Sequence, residues 1–212
     1  MKEDYFNVLR RLRKHHSLFA QFWTVGNILE VKEAIATLQG GGPKSFHEHC
    51  LDVAEQMLVL GNAAETPEEA RIMAKEALRD RSAWNRFLVL VEAQGGDVSY
   101  VEDPNQFPRA AVIKSVPSPQ SGYLSQIHAR IVGETSVDLG AGRTKKDDLI
   151  DHTVGIEILK EVGDYIEKGQ DLFVIHASSE DDFQLAMKRL LDAHRWSDQQ
   201  VPALPLVYEI IR

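Results

Sequence analysis

The sequence predicts an α+β fold in which a helical first part precedes a β-rich second part. Up to about residue 103 the apolar residues recur at helical spacing, whereas from residue 110 the apolar runs are short and rich in β-branched residues. A proline-bearing connection, "VEDPNQFPRA", separates the two patterns. We therefore expect a helical domain over residues 1–103 and a β-rich domain over residues 110–212 that contains one further helix.

Composition narrows the class of protein. The 212 residues carry a formal net charge of -8, which argues against nucleic acid or an anionic membrane as a partner. The single cysteine, Cys50, excludes an intrachain disulfide and fits a reducing compartment. The N-terminus lacks the apolar region of a secretory signal, and no segment is apolar enough to span a bilayer. We expect a soluble, cytoplasmic protein.

Four helices are predicted in the first part. The sequence "GGGP" (40–43) ends the first helix, and the second follows Ser45. The third helix has the clearest start, because Thr66 can cap it, Pro67 suits its first position and Glu69 completes a capping box. The apolar positions of the four helices are Ile28, Val31, Ile35 and Leu38; Cys50, Val53, Met57 and Leu60; Ala70, Met73, Ala77 and Leu78; and Trp84, Phe87, Leu88 and Val91.

The second part contains the predicted strands. They are "AVIKSV", "GYLSQIHARIV", "VGIEIL", "DLFVIHA" and a last strand in "PLVYEII". A helix over about Glu180 to His194 precedes the last strand, and Asp181 and Asp182 suit its N-terminus. The "VGD" and "KGQ" turns around Gly163 and Gly169 resemble those of the barrel-sandwich hybrid of lipoyl and biotinyl carrier domains.

A carrier domain needs a lysine displayed at a hairpin tip. The corresponding region here is "VGETSVDLGAGRTKKDDLIDHTVGIEIL", which is much longer than such a tip and lacks its motif. Lys145 and Lys146 are therefore poor candidates for a modified lysine. The resemblance is one of fold, and it does not indicate carrier function.

Four segments in order point to one family. They are "TVGNILEVKEAI", "AQGGD", "LGAGRTKKDDLID" and "VGDYIEKGQDLFVIHA". From about Thr24 to its end, the chain resembles the C-terminal half of a pyrimidine-nucleoside phosphorylase, the group that includes thymidine phosphorylase. The resemblance implies helices from the large substrate domain, followed by the family's β-rich C-terminal domain.

The family catalyses phosphorolysis, in which phosphate attacks the anomeric carbon of a pyrimidine nucleoside and releases the base. Its phosphate-binding Lys-x-Ser-Thr-Gly-Gly loop, its pyrimidine-binding residues and its N-terminal helical domain have no counterpart in this sequence. The resemblance therefore implies no catalytic residue here, and no activity without a separately supplied N-terminal half. The alternative is a non-enzymatic interaction module that retained the scaffold. "LFAQFWTV" (18–25) is our predicted docking surface, and its alternative role is to pack the N-terminal helix onto the rest.

The resemblance also implies a metal ion. Some bacterial members hold potassium with a helix glutamate and two backbone carbonyls, and these positions correspond to Glu33, Thr24 and Gln21. No other cofactor is implied. In the alternative interpretation, Glu33 is a solvated helix residue paired with a neighbouring lysine.

The polar loop "LGAGRTKKDDLID" (139–151) has two interpretations. Gly140 and Gly142 permit a tight backbone, and Arg143 could bind an anion, so the loop could help close the active-site cleft of a complete enzyme. It lacks the Gly-Lys-Ser/Thr ending of a phosphate loop. Structurally, the glycines shape a turn, and Asp147 and Asp148 neutralise Lys145 and Lys146.

The histidines do not predict a catalytic or metal site. His47 and His49 lie two residues apart on a helix, so their side chains diverge instead of converging with Cys50 on one ion. His176 lies within an apolar strand and is predicted to be a hydrogen-bonded core histidine.

Overall fold

The structure is a computed structural model that describes residues 23–208. Helices and antiparallel sheets occur together, as the predicted α+β class requires. The described chain divides into two compact units. The helical unit comprises residues 30–108 with 206–208, and the β unit comprises residues 109–205 with 23–29. Thus the segment just before residue 30, which we placed in the helical domain, clusters with the β unit.

Four helices of the first part occur where they were predicted, and a short fifth follows. They are α1 (Asn27–Leu38), α2 (Lys44–Leu60), α3 (Pro67–Arg79), α4 (Ser82–Ala93) and α5 (Val98–Glu102). The cap of α3 is confirmed, because the Thr66 hydroxyl accepts a hydrogen bond from the Glu69 amide at 3.2 Å. The Glu69 carboxylate accepts from the Glu65 amide, one residue before the position that a capping box uses.

The core of the helical unit is small. Among the described residues its buried apolar cluster consists of Ile35, Trp84 and Val101. Helices α2 and α3 are joined by Arg71, whose guanidinium pairs with Glu48, Asp52 and Glu55.

The β unit contains two antiparallel sheets. The strands are β1 (Thr24–Val25), β2 (Val112–Pro117), β3 (Gly122–Ile127), β4 (Gly155–Ile158), β5 (Tyr165–Ile166), β6 (Asp171–Ala177) and β7 (His194–Ser197). The first sheet has the order β1-β4-β6-β2 and the second β5-β3-β7. Two helices, α6 (Ala129–Ser136) and α7 (Glu180–Ala193), complete this unit.

The core of the β unit is extensive. Both sheets, α6 and α7 contribute to one buried apolar cluster, in which Leu124, Ile156, Ile166, Phe173 and Leu190 are fully buried. Helix α7 begins as predicted: the Ser179 hydroxyl accepts from the Asp182 amide at 3.1 Å, and acidic residues occupy the first turn.

Two strand predictions were wrong in part. "GYLSQIHARIV" is a strand only to Ile127, and helix α6 follows, because Ala129, Val132 and Ser136 recur at helical spacing and are buried on one face. The described residues of "PLVYEII", 205–208, form no strand, and residues 209–211 lie outside the described range. The last described strand is instead β7, which directly follows α7.

No helix among residues 23–208 is long and apolar enough to cross a membrane.

Candidate functional site

The predicted loop leaves helix α6 through a π-helical turn, Val137–Ala141. Gly140 has a φ of 105°, a left-handed conformation that favours glycine. Its carbonyl accepts a hydrogen bond from the Asp151 amide at 2.9 Å, which closes the loop at its base. At Gly142 an added Cβ would lie 2.9 Å from a methyl group of Val137. Both glycines therefore have the backbone-shaping role that the sequence predicted.

The loop is joined to the "VGN" segment at the start of α1. The Asn27 side-chain amide donates to the Ala141 carbonyl at 2.9 Å, and the Ile28 amide donates to the His152 carbonyl at 3.2 Å. Two of the four segments that carried the family resemblance thus contact each other. Asn27 was not among the predicted site residues. The feature of the sequence that could have indicated it is its position directly after the glycine of "VGN".

Asp148 organises the outer part of the loop. Its carboxylate accepts hydrogen bonds from the Thr144 hydroxyl, from the Thr144 amide at 3.1 Å and from the Lys145 amide at 2.8 Å. These bonds hold the pKa of Asp148 below its ordinary value, and the bond from the Thr144 hydroxyl has the largest effect. The charge of Arg143 lowers this pKa further. The carboxylate therefore fixes the backbone next to Arg143.

The basic side chains of the loop face solvent. Arg143, Lys145 and Lys146 are exposed, and no carboxylate among residues 23–208 lies within ion-pair distance of them. Neither Asp147 nor Asp148 forms an ion pair with the two lysines in the described structure, because the Asp148 carboxylate binds the Thr144 hydroxyl and two backbone amides instead. The loop leads into strand β4, so it is not a helix-capping phosphate loop. The loop is therefore braced by hydrogen bonds and carries exposed cationic groups.

Two predicted potassium ligands lie in the described residues, and Gln21 lies outside them. The Ile158 amide donates to the Trp23 carbonyl at 2.6 Å, and Thr24 pairs with Glu157. This ladder pattern makes Thr24 the non-hydrogen-bonded position, so its carbonyl faces the outer edge of the sheet.

Glu33 lies on α1 and is buried, with 7% of its surface exposed. The interpretation of Glu33 as a solvated residue was therefore wrong. Burial raises the pKa of the Cys50 thiol, and the negative charge of Glu33 raises it further. The field of the Glu33 carboxylate thus reaches another side chain of the helical unit. A buried carboxylate suits a cation, and ion binding at this residue stays a prediction.

The remaining histidines singled out in the sequence are His176 and the group around His47 and His49. His176 on β6 is nearly buried, and its Nε2 lies 2.6 Å from a Glu157 carboxylate oxygen on β4, which confirms a hydrogen-bonded core histidine. In the described part of the chain, no group of three His, Cys, Asp or Glu side chains could hold a metal, and the cluster at His47, His49 and Cys50 is no exception.

Comparison with known proteins agrees with the resemblance drawn from the sequence. Residues 123–197 match the family model for the pyrimidine nucleoside phosphorylase C-terminal domain. Over 191 residues the chain is 41% identical to the pyrimidine-nucleoside phosphorylase of Geobacillus stearothermophilus, covering 89% of this chain and 43% of that protein. It is 44% identical over 158 residues to that of Bacillus subtilis (strain 168), covering 74% and 36%. The Staphylococcus epidermidis protein of the same name is 38% identical over 187 residues, covering 88% and 43%.

These matches identify the chain as a relative of the C-terminal portion of the pyrimidine-nucleoside phosphorylases. The chain spans less than half the length of the curated relatives that it matches.

Proposed function

We propose that the chain supplies the C-terminal portion of a pyrimidine-nucleoside phosphorylase. In this proposal it acts only together with an N-terminal half that binds phosphate and the pyrimidine nucleoside. One observation carries the proposal: the match covers 89% of the chain but only 43% of the Geobacillus stearothermophilus relative. The reaction would be attack of phosphate on the anomeric carbon, which gives the free base and a pentose 1-phosphate.

The role that we assign to the loop is closure over the reacting groups. Its base is fixed by the Asn27 and Asp151 contacts, its outer turn is fixed by Asp148, and Arg143 remains exposed. A fixed cation is an effective partner for a phosphate or for the negative charge that develops on the departing base. Arg143 would therefore reach the substrates only when the N-terminal half has presented them.

We also propose that the complete enzyme binds potassium through the Glu33 carboxylate and the carbonyls of Thr24 and Gln21. The burial of the Glu33 carboxylate supports this assignment. Oxygen atoms are the ligands that such hard cations prefer.

The decisive experiment is a phosphorolysis assay with thymidine and uridine. The purified chain, an N-terminal half from the Geobacillus stearothermophilus relative, and their mixture are each incubated with phosphate and potassium. We expect product from the mixture alone. Product from the chain alone would refute the need for a second half. No product from a folded, co-purifying mixture would refute the phosphorylase function and favour the interaction module.

Two variants test the assigned residues in the active mixture. Arg143→Ala should lower kcat/KM roughly tenfold through loss of one charged contact, whereas the exposed Lys188→Ala on α7 should leave it unchanged. Glu33→Gln should abolish the rise in Tm that potassium gives over sodium, and Glu30→Gln should retain it. Unchanged kinetics for Arg143→Ala, or a retained potassium effect in Glu33→Gln, would refute the respective role.

A further inference from the structure

Helix α2 exposes an apolar stripe that its sequence assigns to a core. Val53, Met57 and Leu60 follow each other at intervals of four and three, so they lie on one side of the helix. Their exposed fractions are 45%, 67% and 83%. An amphipathic helix normally buries such a stripe against a neighbouring element. Here the stripe is uncovered among the described residues.

The neighbouring helix does not cover the stripe, because α3 binds a different side of α2. Arg71 of α3 pairs with Glu48, Asp52 and Glu55 of α2, which also recur at intervals of four and three. On a helical wheel these three acidic residues lie roughly 140° from the apolar stripe. The stripe therefore points away from α3, its main partner within the unit.

The helical unit buries fewer large apolar side chains than the β unit does. Val89 and Leu90 of α4 are more than half exposed, and among the described residues the buried apolar side chains of this unit are Ile35, Phe46, Leu51, Ala64, Ala70, Trp84 and Val101. A unit of this size normally buries most of its apolar surface. The β unit does so, as its large buried cluster shows. The smaller core thus belongs to the unit that contains the stripe.

We propose that Val53, Met57 and Leu60, here called the α2 stripe, bind the N-terminal portion of a pyrimidine-nucleoside phosphorylase. This inference rests on the proposed function and names the surface through which the two halves assemble. More than half of the length of the Geobacillus stearothermophilus relative has no counterpart in this chain, and that portion is the source of an occupant for the stripe. A second copy is a poorer occupant, because each copy carries a net charge of -8.

The test uses the full 212-residue chain and a tagged N-terminal portion of the Geobacillus stearothermophilus relative, co-expressed and then titrated by biolayer interferometry. Met57→Glu and Leu60→Glu each place a charge in the stripe. Leu185→Glu is the matched control, because Leu185 is 71% exposed on α7 of the β unit. All three side chains are mainly exposed, so circular dichroism should show unchanged folding. We expect Kd to rise at least tenfold for the two stripe variants and less than twofold for Leu185→Glu.

Other outcomes distinguish a failure of the proposed docking surface from a failure of the proposed phosphorylase function. Binding that is insensitive to both stripe variants overturns the docking surface, even if the mixture is active. Stripe-dependent binding without phosphorolysis supports the surface and refutes the proposed function. If the unaltered chain does not bind the N-terminal portion but forms concentration-dependent dimers that Leu60→Glu dissociates, then a second copy is the occupant. That outcome overturns the proposal.

Discussion

At the scale of single residues, Gly26 and Gly155 bring two backbone segments into close contact beside strands β1 and β4. A Cβ added at Gly155 would lie 2.6 Å from the Val25 carbonyl oxygen and 3.0 Å from the Gly26 Cα. Both neighbours are backbone atoms, so no side-chain rotation relieves the clash. We expect Gly155→Ala to lower the free energy of unfolding of the β unit by about 3 kcal/mol.

Urea unfolding of the full chain measures this effect, and Gly133→Ala serves as its control. Gly133 lies in helix α6, and a Cβ added there meets nothing within 4 Å. Alanine at that position should stabilise the unit by up to about 1 kcal/mol through helix propensity. Equal unfolding midpoints for Gly155→Ala and the unaltered chain would contradict the close contact.

A second residue-scale prediction concerns His194, which is buried between Phe173 and Trp196. Its Nδ1 lies 2.7 Å from the Leu190 carbonyl oxygen, so Nδ1 carries the hydrogen, and Nε2 has no partner within the described structure. Burial lowers the pKa of His194 below its ordinary value of 6.5, and the Leu190 hydrogen bond has a smaller, opposite effect.

This lowered pKa gives stability a definite pH dependence. Below pH 6.5 the unfolded chain binds a proton that the folded chain excludes, so the contribution of His194 to stability falls as the pH decreases. Above that pH the contribution is constant. Urea unfolding between pH 7.5 and 5.5 should show a steeper loss for the unaltered chain than for His194→Gln. His152→Gln, at an exposed histidine, should keep the original slope, and a slope unaffected by His194→Gln would refute the assignment.

At the scale of elements, the outer turn of the loop 139–151 depends on the Asp148 carboxylate. Asp148→Asn removes the charged acceptor of the Thr144 and Lys145 hydrogen bonds, so trypsin should cleave at Arg143, Lys145 or Lys146 several-fold faster. Asp147→Asn is the control, because Asp147 makes none of these bonds. The pKa of Asp148 is depressed, so the brace is intact at neutral pH and is lost only as the pH falls through that lowered pKa. Equal cleavage rates for the two variants would refute the brace.

Elements with strong local signals were predictable from the sequence. Helix α3 was recognised by its Thr66 cap and Pro67, and β6 by an uninterrupted β-branched and apolar run. Helix α6 was not, because "ARIVGETS" has β-branched residues and a glycine, and burial against the β unit decides its conformation. Strand β7 carries only "HRWS", so its strand character comes from pairing with β3.

The residues of the candidate site also differ in whether the sequence alone predicts their roles. The roles of Gly140 and Gly142 follow from the residue type, since glycine alone suits a left-handed or closely packed backbone. The roles of Asn27 and Asp148 do not, because each depends on a partner that only the fold brings near. The solvent exposure of a side chain was also not predictable from the sequence. Glu33 is buried, whereas the α2 stripe, whose spacing predicted core residues, is exposed.

At the scale of the whole molecule, the two units differ in how much apolar surface they bury. We expect hydrogen exchange of the chain alone to show amides of α2, α3 and α4 with protection factors at least roughly tenfold below those of β4 and β6. Addition of an N-terminal phosphorylase portion should raise protection in the helices and leave the strands unchanged. Uniform protection across both units in the isolated chain would contradict the difference in core size.

Strand β1 belongs to the β unit, although residues 30–108 of the helical unit lie between it and β2 in the sequence. Among residues 23–208, its pairing with β4 consists of Thr24, Val25 and the hydrogen bond from the Ile158 amide to the Trp23 carbonyl. If the helices unfold, β1 is tethered through a loop of about eighty residues, whose closure costs about 4 kcal/mol of chain entropy. So short a strand does not offset that cost, and β1 should then leave β4. The exposed edge of β4 would accept strands from other molecules, so the stability of the helices also protects the protein against aggregation.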